Sequence, residues 1–196
     1  MAANGRVCTG FSKPYVALYA FTGGSVVYSS CTALARGVEV SVEAEEASEA
    51  NNFYADNVLA ESISGVFSGG TATLTVDGLL DTTRKMIYGL PTADSLGWTH
   101  FGDSQSVPYV GIGFVTRYMS DGVTSYVPTI LTKAIFQAEP QEAATQEDEV
   151  DWQTTELTAT LLRDDSANHD WKLLGAAQTT EALAEGMIKS MFGVTP

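Results

Sequence analysis

Apolar and polar residues alternate with period two along much of this chain, the spacing of a half-buried strand and not of a helix. Val38, Val40 and Val42 alternate with Glu39, Ser41 and Glu43, which predicts one apolar face and one face of carboxylates. Thr71, Thr73 and Thr75 alternate with Ala72, Leu74 and Val76 after the turn Ser68-Gly69-Gly70. Residues 107–137 are rich in β-branched and aromatic side chains on both sides of Ser120-Asp121-Gly122. Asp-Gly supplies the positive φ angles of a two-residue turn, so a long hairpin is predicted there. Further strands are expected at 15–21, 25–30, 152–162 and 171–174, the last two joined by a polar turn at 163–170.

Two segments carry helical signals. Residues 79–88 end at Gly89 with Pro91 close behind and with Arg84 and Lys85 near the negative end. Residues 180–192 open on a Thr180 cap and Glu181. Their apolar residues Ala184, Met187, Ile188, Met191 and Phe192 recur at three and four, which predicts one face packed on a sheet. The expected class is therefore mainly β with two helices: an N-terminal arm at 1–14 and a single domain at 15–196.

Two acidic stretches interrupt the pattern and are expected to be long loops, at 43–56 and 138–151. The first holds Glu43, Glu45, Glu46 and Glu49 and runs into Asn52, Phe53, Tyr54 and Asp56; Phe53 and Tyr54 are large enough to anchor an interface. The second carries six carboxylates and Pro140, and is expected to face solvent or a junction between subunits, because so many charges cannot be buried without partners.

Composition narrows the function. At 196 residues and 44% hydrophobic the chain can bury a real core, and no apolar run approaches the ~20 residues of a membrane helix. No apolar stretch with a small-residue cleavage site follows the first residues, so folding in a cytoplasm is expected. There Cys8 and Cys31 read as two separate thiols. The 24 acidic residues against ten scattered basic ones give a net charge of −14, which repels nucleic acid and argues against a nucleic-acid-binding surface. The plain reading of that charge is solubility.

Catalytic signatures are missing. His100, near Asp103, and His169, between Asn168 and Asp170, stand in turn-like sequence, and there is no nucleophile elbow, Walker motif or zincin motif. Gly111-Ile112-Gly113 lies inside the predicted hairpin and reads as a place of close backbone approach. Asp164, Ser166, Asn168 and Asp170 alternate like a calcium loop, but the sixth position lacks Gly and Gly175 stands where a bidentate Glu belongs. No enzyme, metal or cofactor is expected.

Ordered blocks of residues then carry a resemblance. The run from Gly37 to Glu43, the acidic stretch ending in Asn52-Phe53-Tyr54-Ala55-Asp56-Asn57, Phe67-Ser68-Gly69-Gly70 with its strand, and Pro108-Tyr109-Val110-Gly111-Ile112-Gly113-Phe114 follow in order. Lys133-Ala134-Ile135-Phe136, Asp170-Trp171-Lys172 and a closing helix complete the set. Together they resemble the phi13-type major tail proteins of long-tailed phages infecting Gram-positive bacteria, over roughly 15–192. The resemblance implies a β-sandwich or incomplete barrel with helices packed on the sheets. Six copies would form a ring, and stacked rings the tail tube that delivers DNA.

A virion location after assembly in the host cytoplasm follows by the same analogy. So do a tape measure protein, a tail tip and a tail terminator as partners, with DNA passing through unbound and no membrane role. In that setting Glu45, Glu46, Glu49, Asn52, Phe53, Tyr54 and Asp56 are expected at contacts between subunits or rings, and Glu39, Ser41 and Glu43 in the lumen. The competing reading is a sandwich binding module of a tail-tip or capsid-decorating protein that grips a host receptor or carbohydrate.

Overall fold

In the computed structural model of the chain, which describes residues 5–46, 51–63, 67–103, 105–139, 141, 145 and 153–194, strand β1 (Val7–Thr22) turns through Gly23-Gly24 into β2 (Ser25–Ala33). β3 (Gly37–Glu46) follows, then a short hairpin of β4 (Asn51–Ala55) and β5 (Val58–Ile63), then β6 (Phe67–Val76) and helix α1 (Asp81–Tyr88). The predicted long hairpin is β7 (Val110–Ser120) and β8 (Val123–Phe136), with Asp121 and Gly122 at φ 49° and 76° as its turn requires. β9 (Thr155–Leu162), β10 (Lys172–Leu174) and helix α2 (Glu181–Met191) complete the chain.

Eight strands form one antiparallel sheet in the order β2-β1-β7-β8-β9-β6-β3, with β10 also on β8. The class is mainly β, as expected, but the core is built on one curled sheet and not on a two-sheet sandwich; β4 and β5 form a separate two-stranded sheet. The sheet curls until β3 returns beside β1: Leu34 N–H donates to Pro14 O at 2.8 Å, and the Phe11 ring fills the space where Gly37 has no Cβ. No ladder joins β1 to β3, so the curl stays open at this seam.

Each face of the central strands feeds a different core. Inside the curl, Val16, Leu74, Val76, Ile112, Leu131, Leu157 and Leu161 pack with Ile87 and Tyr88 of α1. On the outer face of β1, β7 and β8, Ala17, Tyr28, Val115 and Ile130 pack with Ala184, Ile188 and Phe192 at the C-terminal helix. Residues 110–115 are therefore buried without a break, as in any strand covered on both sides. Gly111 and Gly113 give room for α2: a Cβ on Gly113 would lie 2.5 Å from Ile188 Cγ2, and one on Gly111 2.9 Å from the Phe192 ring. The close approach predicted for these glycines is thus to side chains of α2 and its C-terminal end and, at Gly111, to Tyr28 of β2, 2.5 Å from where a Cβ would lie.

Both helices are capped as their sequences predict. Gly89 ends α1 at φ 59° with its N–H returned to the last turn, and the Thr180 hydroxyl accepts from Leu183 N–H at the start of α2. Only part of the predicted apolar face of α2 is covered, since Met187 and Met191 stay exposed.

Two expectations change. Residues 7–14 are not an arm: β1 begins at Val7 and pairs with β7 as far as Met119. Nor is 43–56 a loop, because β3 runs on through Glu46 and residues 51–55 are strand β4; residues 47–50 lie outside the described residues. The physical reason is Asp56-Asn57, at φ 51° and 63°: both tolerate the left-handed region and so close a hairpin.

On the other side of α2, Glu185 accepts from the Tyr15 hydroxyl at 2.6 Å and pairs with Lys189 at 2.7 Å and Lys13 at 3.2 Å. Lys189 first, then Tyr15, holds the carboxyl down to about 2 from its ordinary 4.5. A depressed folded value gives stability that is full above pH 4.5 and is lost as pH falls toward 2. Glu185→Gln is expected to lower stability at pH 7 and to flatten the acid limb across that window. Urea midpoints measured at several pH values check both; an unchanged acid limb would contradict the assignment.

Candidate functional site

The face of β3, β6 and β9 that points away from the core is a polar lattice set by register. Antiparallel pairing aligns Glu43 with Thr71 and Thr160, Ser41 with Thr73 and Thr158, and Glu39 with Thr75 and Glu156. Side chains directly opposite in a ladder share a face, so these nine residues form three parallel rows. Glu39, Ser41, Glu43 and Glu156 are exposed and the threonines are half-buried. Behind them Val40, Val42, Ala72, Leu74, Leu157 and Ala159 point into the core, so the strand period fixes the lattice outward.

Neither helix packs on this face. Its carboxylates stand about 10 Å apart across strands and about 13 Å along β3, and none of the three forms an ion pair among the described residues. At the β8 border the cation Lys133 is already engaged, with Asp165 at 2.7 Å and over the rings of Tyr19 and Tyr109. Among the described residues the face therefore presents carboxylates without ion-pair partners on a carpet of hydroxyls and methyls.

The structure thus puts Glu39, Ser41 and Glu43 together on one exposed face, as their alternation predicts. Val38 departs from the pattern and is 56% exposed. The ladder steps from Gly37↔Val76 to Glu39↔Thr75, so Val38 is the extra residue of a bulge and leaves the apolar side. Thr71, Thr73, Thr75, Glu156, Thr158 and Thr160 are members that sequence reasoning missed. Their alternation is legible, but the pairing of β6 with β9 across some eighty residues is not.

The remaining predicted residues gather at one end of the β3–β6 ladder. Glu45 and Glu46 finish β3 and are exposed; Asn52, Phe53 and Tyr54 lie in β4; Asp56 is in the exposed hairpin turn; Glu49 lies outside the described residues. Among the described residues the β4–β5 hairpin pairs only with itself.

At the opposite end stand α1 and the turn at 94–101. There the Asp94 carboxylate accepts from Leu96 and Trp98 N–H, both at 2.9 Å, and meets His100 Nε2 at 3.0 Å. His100, with these other donors, holds the Asp94 carboxyl below its usual range. His169 sits at φ 54° in the polar turn, 3.2 Å from Asp164 O, and the Asp164 carboxylate accepts from both Ser166 N–H and Ser166 Oγ. These contacts account for the calcium-like spacing as turn chemistry.

Residues 138–151 are described only at 138, 139, 141 and 145. Among them Glu139 is half-buried and pairs with Arg84 at 2.8 Å. No helix among the described residues is long and apolar enough to cross a membrane. No protein-family model and no curated protein matches the chain.

Proposed function

We propose that this protein is a structural subunit of a tubular polymer, the tail tube of a long-tailed phage, with no turnover. Six copies form a ring, rings stack, and the β3–β6–β9 face lines the channel that DNA crosses. The observation that supports this reading most directly is that face itself. It is an acidic lattice rich in threonine that no helix covers, and its strand β3 is an unpaired edge of the sheet.

Beyond its Gly37 end, where β1 lies beside it, the free edge of β3 invites pairing with another chain. β2 at the far side offers a second free edge, so edge-to-edge contacts between copies are heterologous and close into a ring when the rotation allows. Such a ring would turn its carboxylates toward DNA, which carries one negative charge per ~1.7 Å of axis. Attraction would stall the genome; repulsion keeps it from sticking. The tape measure, tip and terminator proteins are the partners this assembly would need.

Purified protein at rising concentration is expected to sediment as hexamers and longer species and to show rings and tubes in negative stain. A chain that stays monomeric throughout would overturn the proposal.

A further inference from the structure

We infer that the outward face of α2 is a contact between two copies of this chain in solution, related by a two-fold axis. The helix sorts its residues by face. Ala184, Ile188 and, at its end, Phe192 are buried against the sheet, while Glu181, Glu185 and Lys189 stand along the flank that meets Ser12, Lys13 and Tyr15 of β1. Those three carry all the charge of α2. What remains turns outward: Ala182, Gly186 and Ser190 in one row and Leu183, Met187 and Met191 in the next, each at a spacing of four. A helix whose outer face meets only water carries charged and polar residues there, so this face is built like one that is covered.

The apolar surface continues past the helix. β10 lies alongside, and a groove of about 190 Å³ between them is lined by Pro128, Leu173, Leu174, Gly175, Met187 and Met191. Leu174, Leu183, Met187 and Met191 are 40–64% exposed, and with the small residues between them they present on the order of 500 Å², a patch of the size that marks interaction sites.

Shape selects the occupant. A row of large side chains at every fourth residue is a ridge, and the row of small ones beside it is a groove of the same inclination. Under a two-fold axis the Leu183-Met187-Met191 ridge of each copy enters the Ala182-Gly186-Ser190 groove of the other, with the helices crossing at about −50°. Gly186 stands at the middle of that groove. A Cβ there would meet nothing within 4 Å, so packing within one subunit does not call for a glycine, which weakens a helix interior relative to alanine. A second helix in close approach does call for one.

Area and charge agree with a second copy. Two such faces bury about 1,000 Å² together, where specific interfaces of the weak class begin. Each copy carries −14, so two of them repel at a distance and meet most readily where carboxylates are absent, as they are here. The contact is isologous and closes at two, with the edges of β2 and β3 untouched. It therefore stands or falls apart from the tubular reading.

Sedimentation equilibrium of the wild type and of Leu183→Glu, Gly186→Glu and Leu80→Glu tests it. Leu183 and Leu80 are exposed and a side chain at Gly186 enters open space, so each variant is expected to fold, which thermal melts confirm. Wild type is expected to pass from monomer to dimer at about 10–100 μM, and more tightly at about 0.5 M salt than at about 0.05 M, because salt screens the repulsion. Leu183→Glu and Gly186→Glu are expected to raise the dimer dissociation constant by about tenfold or more, and Leu80→Glu, on another apolar patch, to leave it within roughly twofold. A dimer that either α2 variant forms as well as wild type, or that Leu80→Glu also breaks, overturns the contact. Monomers that pass directly to hexamers remove this dimer and leave the ring reading standing; dimers that never pass to larger species keep the contact and remove the ring reading. Protein that is monomeric at every concentration removes both.

Discussion

Phe192→Ala is expected to lower stability by about 3–5 kcal/mol, the usual cost of deleting a buried aromatic ring. Phe192 is 1% exposed, and its ring meets Tyr28 with centroids 5.0 Å apart and lies over Gly111 and Gly113. The backbone there cannot collapse to fill the hole, because β7 is held in register by β1 on one side and β8 on the other. Gly113→Val attacks the same contact from below. Its Cβ would start 2.5 Å from Ile188 and would lift α2, so a loss of about 1–3 kcal/mol or more is expected from overpacking. Urea unfolding measures both, and hydrogen exchange in α2 locates the loss. A change under about 1 kcal/mol in both variants would mean that α2 is not seated on these glycines.

The same glycines show how much the sequence discloses. Gly111-Ile112-Gly113 in a strand announces that something comes close, but a strand flanked by glycines does not say whether a helix or a second sheet arrives. Local chemistry was legible wherever a turn or cap needed one residue type: Asp121-Gly122, Gly89 and Thr180 all act as their conformations demand. Asp56-Asn57 was equally informative and was hidden by the surrounding acidity, which suggests a loop although charge does not prevent a two-stranded ribbon.

Long-range facts were not legible. The candidate face depends on β9 pairing with β6 and β3 lying outside both, and nothing in a local period of two encodes which strands become neighbours. Glu39, Ser41 and Glu43 could be placed on one face of one strand. The threonine rows and Glu156 beside them could not. Val38 illustrates the limit at the scale of one residue, since alternation assigns it inward and a bulge turns it out.

On the proposed tubular reading, replacing Glu39, Glu43 and Glu156 together with Lys is expected to turn a channel that lets DNA pass into one that holds it. All three side chains are exposed on the outward face, so the change should alter folding stability by no more than about 0.5 kcal/mol for each residue. Rings should still form, because the backbone edges of β2 and β3 are untouched.

Screening reaches ~8 Å at physiological salt, so wall charges act on DNA that passes within one or two strand widths and not on its axis. Within that range each ammonium that neutralises a phosphate releases a counterion, and affinity falls with log salt at about 0.9 per phosphate. Tubes of the triple variant are therefore expected to co-sediment with linear DNA at low salt and to release it steeply as salt rises, whereas wild-type tubes leave DNA in solution at every salt concentration. In assembled particles the variant should slow genome release without reducing particle number. Equal DNA release by both proteins, or an assembled structure with Glu39 and Glu43 on the outer surface, would remove the lumenal assignment. The charge of −14 would then serve only to keep the free subunit soluble.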